Sequence, residues 1–87
     1  MLFDRISTNK DIMYGKPCIK GTRITVEFIL RKSSEGATFA ELLLDYPGLL
    51  IEDLQQVFKY SAHVILNKEV EDKIEKHKTI TKEHKPQ

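Results

Sequence analysis

The sequence predicts a small, mainly α-helical domain: a short N-terminal β-hairpin, a three-helix helix-turn-helix, and a charged C-terminal tail that is helical or disordered. Three observations carry this expectation. Apolar and polar residues alternate in short pieces as far as Thr25, and from Val26 the apolar spacing becomes that of a helix. A capping box stands at Thr38-Phe39-Ala40-Glu41. The turn Tyr46-Pro47-Gly48-Leu49 separates two helical stretches by only a few residues.

Taken in order, Arg5-Ile6-Ser7, Cys18-Ile19-Lys20 and Arg23-Ile24-Thr25 read as strand pieces, separated by Gly15-Lys16-Pro17 and Gly21-Thr22, where glycine and proline supply turn geometry. Such a fragment is poorly stable alone, so it is expected to pack on helices or pair with a second copy. Helix one is expected over Val26 to Ser34, with Thr25 as N-cap and Gly36 as its stop. In helix two, Phe39, Leu42, Leu43 and Tyr46 make one apolar stripe, and Pro47 ends the helix by disfavouring helical geometry in the residue before it. Helix three is expected to start near Leu50 or Ile51 and to reach about Leu66, with Leu50, Leu54, Val57, Phe58, Ser61 and Ile65 on one face and Glu52 and Asp53 near its positive end. Beyond it, Glu69 with Lys73 and Asp72 with Lys76 favour a helix, and residues 79–87 are expected to be disordered. The division is thus a domain over 1–66 and a tail over 67–87.

With 87 residues the chain has room for one small domain whose core is marginal, which makes partner chains expected and a large enzyme excluded. The lone Cys18 has no partner for an intramolecular disulfide, and Met1-Leu2-Phe3-Asp4 lacks the basic and apolar runs of a signal peptide, so the expected compartment is the cytoplasm. The longest apolar runs are too short for a membrane span.

The net charge of +1 hides a segregation. Residues 1–32 hold seven basic groups against three acids, +4; residues 33–66 hold Lys59 against five acids, −4; residues 67–87 hold six lysines against five acids, +1. The basic first third can face an anion, and the middle cannot.

The helix-turn-helix anatomy would place helix three in a DNA major groove, with Gln55, Gln56 and Lys59 toward the bases and His63 further along. Glu52 and Asp53 oppose this, because they stand at the end that must approach phosphate. In the hairpin, Lys16, Lys20 and Arg23 are close in sequence and can share a phosphate-holding face, or simply guard a sheet edge. The tail residues Leu66, Val70 and Ile74 repeat every four positions, a stripe that a partner's groove can bury or that can pack on the domain itself.

Other chemistry finds little footing. Gly15 to Thr22 fails as a phosphate-binding loop, since five residues separate the glycines and no lysine stands before Thr22. His63, His77, His84 and Cys18 have no metal-site spacing, and no nucleophile is placed beside a base, so neither cofactor nor catalysis is expected.

The residues Gly15-Lys16-Pro17-Cys18-Ile19-Lys20-Gly21-Thr22-Arg23-Ile24, with Asp45-Tyr46-Pro47 and Leu50 to Leu54, make the chain resemble the domain of unknown function 433 family over roughly Ile6 to Leu66. The resemblance implies a hairpin followed by a homeodomain-like trihelical helix-turn-helix. It also implies an antitoxin of a VapBC-type toxin–antitoxin pair: a homodimer that binds its operator DNA and blocks a PIN-like ribonuclease toxin through its C-terminal segment. By position Gly15, Pro17, Gly21, Thr22 and Arg23 belong to the hairpin signature, which adds Thr22 to the DNA candidates, and Tyr46 and Pro47 belong to the inter-helix turn. Leu50 stands where the family often has Ser or Thr as helix cap, so that helix start is expected to be less well satisfied. The alternative from another class is a protein-interaction module that uses the helix-turn-helix scaffold without touching DNA.

Overall fold

The computed structural model describes residues 3–83, with side chains through Val70. Strand β1 (Ile6–Ser7) pairs antiparallel with β2 (Cys18–Ile19), Ile6 opposite Ile19 and Ser7 opposite Cys18. Three helices follow: α1 (Val26–Ser34), α2 (Phe39–Asp45) and α3 (Ile51–Glu83). The expected third strand piece shrinks to a single bridge, Cys18 to Thr25, because Thr25 is already the N-cap of α1.

Local chemistry sets the helix ends. Thr25 Oγ1 accepts the Phe28 amide at 2.9 Å, and Gly36, at φ +104°, makes the left-handed exit after α1 that a side chain would strain. At α2 both halves of the capping box form, Glu41 N–H to Thr38 Oγ1 at 3.1 Å and Thr38 N–H to Glu41 Oε1 at 2.9 Å. Leu50 cannot cap α3 with its own side chain, yet its amide is satisfied from three residues ahead, donating to Asp53 Oδ2 at 2.9 Å.

The core is Ile6, Ile19, Val26, Ile29, Leu42, Leu49, Leu54 and Val57, so hairpin and helices each supply at least one side chain to one cluster. Cys18 is buried, as a small apolar residue. On α3 the buried positions are Asp53, Leu54 and Val57, while Leu50, Phe58 and Ile65, expected on the core face, lie at its edges and stay partly exposed. Helix α3 also runs through Leu66 without a break to Glu83, so residues 79–83 are helical, not the expected disordered start of a tail; residues 84–87 lie outside the described part. Burial of the stripe holds the first third of this helix, and helix-favouring charged residues continue it where the stripe has ended.

Candidate functional site

Two of the expected DNA contacts are engaged inside the domain. Thr22 Oγ1 donates to the Ile19 carbonyl at 2.8 Å and accepts the Ile24 amide at 2.9 Å, closing the turn that Gly21 opens at φ +77°. Gln56 bridges the N-terminal segment to α3, accepting the Arg5 amide at 2.8 Å and donating to Asp4 Oδ1 at 2.7 Å. That donation is the main reason the Asp4 carboxyl lies below its ordinary value. Neither side chain is free to read a base.

The expected repulsion at the start of α3 is also altered. Asp53 is fully buried, and its second oxygen accepts Arg5 Nε at 2.6 Å, so one of the two acids is neutralised inside the domain. The same contact raises the Arg5 guanidinium above its ordinary value. Sequence reading missed this pair, whose only local trace is an acid three residues after Leu50, the residue before the helix.

The hairpin cations divide into two places. Lys16 and Arg23 line a hollow of about 380 Å³ with Arg31 and Glu27. Lys16 Nζ donates to Glu27 Oε1 at 2.9 Å, which lowers the Glu27 carboxyl. Lys20 lies outside this hollow, its charge acting on Asp4. Arg31, not expected from the sequence, therefore replaces Lys20 as the third cation of the hollow.

On α3 a turn of roughly 100° per residue puts Gln55, Lys59, Leu66 and Val70 on one outward side, and all four are exposed. The structure thus joins the expected DNA contacts Gln55 and Lys59 to the expected partner contacts Leu66 and Val70 as one stripe. Leu66 and Val70 are 60% and 55% exposed. The Ile74 side chain lies outside the described residues. His63, beside the stripe, packs its ring 5.5 Å from Phe3 and shares a hydrogen bond with Asn67 at 3.0 Å.

The opposite side of α3 forms an apolar groove with α1. Pro17, Val26, Leu30, Tyr60, Val64 and Ile65 line about 360 Å³, with Lys16 and Glu27 at the rim. Among the described residues no cluster of three potential metal ligands exists, and no helix is long and apolar enough to cross a membrane.

Comparison with known proteins bears on the head of the molecule. No curated protein matches the chain. A crystal structure of a DUF433 member protein from Anabaena variabilis is similar, with a TM-score of 0.70 at 32% sequence identity, over 82% of this chain and 70% of that one. The model of the protein of unknown function family DUF433 matches residues 6–61, a span that takes in hairpin, α1, α2 and the packed part of α3, and the chain belongs to that family.

Proposed function

We propose that this chain is a non-enzymatic, cytoplasmic, antitoxin-like regulator whose α3 arm holds a partner protein while its head contacts DNA. The observation that carries this reading is α3 itself. It is one continuous helix that completes a helix-turn-helix head and then extends beyond it with Leu66 and Val70 exposed on its outward side. An exposed apolar pair on a preformed helix offers a partner's groove its anchors at little ordering cost. In the terms of the family resemblance, the partner is a PIN-like ribonuclease toxin encoded beside this chain and the DNA is the shared operator. Lys16, Arg23 and Arg31 of the hollow supply phosphate contacts, and Gln55 and Lys59 supply the groove-facing ones.

The test is ribonuclease inhibition. The full chain should suppress cleavage by the adjacent PIN-like protein, and both residues 1–66 and a Leu66→Asp/Val70→Asp variant should fail to. Inhibition by residues 1–66 equal to that of the full chain would refute the role of the arm. A second reading, partner capture without DNA, is favoured by the internal engagement of Thr22 and Gln56. Anisotropy on operator and scrambled duplexes across a salt series separates the two, since the regulator binds the operator selectively and loses affinity with salt.

A further inference from the structure

We infer that the cationic hollow beside α1, with Tyr14 at its edge, is a site for an unpaired nucleic-acid strand, whose phosphates meet Arg23 and Arg31 while its bases stack on aromatic rings. The inference rests on the proposed function for those two phosphate contacts. It adds contacts that a duplex cannot use, because a duplex keeps its base faces stacked inside.

Three observations select the ligand. The first is a strained turn. Met13, Tyr14 and Gly15 follow one another in left-handed backbone, at φ +49°, +59° and +80°. Glycine takes this conformation freely, whereas Met13 and Tyr14 are held in it at a cost. The Ile12 carbonyl accepts the Gly15 amide at 3.0 Å and the Met13 carbonyl accepts the Lys16 amide at 3.1 Å, which fixes the turn. Tyr14 is left 96% exposed. Strain that holds a large ring in water serves contact with something else, since the core gains nothing from it.

The second observation is charge. In the hollow Lys16 and Glu27 offset each other through their ion pair, and among the described residues no acid lies within ion-pair distance of Arg23 or Arg31. Two guanidiniums therefore remain, planar donors that suit phosphate oxygens. The third is the placing of the rings. Phe28 and Tyr46 line the same hollow, edge to face with centroids 5.6 Å apart, and neither is fully buried. Met13 lines it too, which sets Tyr14, the next residue, at its edge. Aromatic surface, cation pair and a second aromatic surface match the base, phosphate and base of an unpaired strand. A phosphorylated protein side chain would bring at most one ring with its phosphate and leave the second aromatic surface unused.

The experiment is fluorescence anisotropy on the full chain at low salt, with end-labelled oligo-dT and oligo-rU of about eight nucleotides and, separately, with the operator duplex. At least one strand should bind, and the tighter of the two identifies the natural source as DNA or RNA. Tyr14→Ala should weaken strand binding by roughly tenfold and leave duplex affinity unchanged, while Tyr14→Phe should keep both. Arg23→Ala with Arg31→Ala should weaken strand binding and lower its salt slope by roughly one. Tyr14→Gly relieves the strained backbone, so it should leave the melting temperature unchanged or raised while losing strand affinity. A clear fall in melting temperature would make the ring structural and overturn the inference. Duplex binding with no strand binding overturns it and leaves the operator reading standing, whereas strand binding with no duplex binding does the reverse. Strand binding indifferent to Tyr14→Ala overturns it as well. So does a Tyr14→Ala variant that keeps strand affinity but loses ribonuclease inhibition, which would assign the ring to a protein partner.

Discussion

Helix α3 lives in two environments. Between Ile51 and Ser61 it is a core element, with Asp53, Leu54 and Val57 buried and Ser61 Oγ bonded back to the Val57 carbonyl at 2.7 Å. From Ala62 to Val70 every side chain is exposed, and the helix continues although none of these residues is buried in the core. The contrast teaches that helix formation and helix burial are separate matters. The head is helical because a stripe must be buried; the arm is helical because its composition favours a helix once α3 has supplied the nucleus. The family match ends at residue 61, where burial ends.

Substitutions should divide at that boundary, and the largest effect belongs to the head. Leu54→Ala leaves a cavity beneath α1 and should cost about 3 kcal/mol in chemical denaturation, within the range for buried leucines. Asp53→Ala removes both the partner of Arg5 and the acceptor of the Leu50 amide. Because the Arg5 side chain is 28% exposed and regains some hydration, about 2 kcal/mol is expected, less than for a wholly buried pair. Thr25→Ala, which deletes the cap of α1, should cost about 1 kcal/mol. Deleting residues 67–87 should change the unfolding free energy of the head by no more than about 0.5 kcal/mol, since no core contact is lost. A large loss on that deletion would break the comparison.

The smallest expected effect is in pH. The Asp4 and Glu27 carboxyls are lowered in the folded chain by Gln56 and Lys16, so their contributions are complete above the unfolded carboxylate value of about 4 and are lost as pH falls through the lower folded values. Gln56→Leu should flatten the acid limb of a thermal-melt series measured below about pH 4.5, and Lys16→Met should flatten it likewise. An unchanged acid limb in both variants would remove these contacts from the account.

What was legible in the sequence was what is local. The bounds of α1 and α2 follow from Thr25, the Thr38–Glu41 box, Gly36 and Pro47, each acting within four residues of the end it sets. The far end of α3 was misplaced because fading amphipathicity at Leu66 resembles a helix end, although only burial stops there. The links Arg5 to Asp53 and Gln56 to Asp4 join residues 48 and 52 apart, and no spacing rule reaches so far. For the same reason Gln56 looked free for DNA. The α1–α3 groove draws Pro17, Leu30 and Ile65 from distant parts of the chain, so only the fold reveals it.

The most direct test of the two-environment account is amide hydrogen exchange followed along α3. Residues 54–60 should exchange only through global unfolding, while residues 76–83 of the same helix should exchange faster by orders of magnitude in the free chain. Protection uniform from Leu54 to Glu83 in the free chain would contradict it, because the arm would then be part of the folded core.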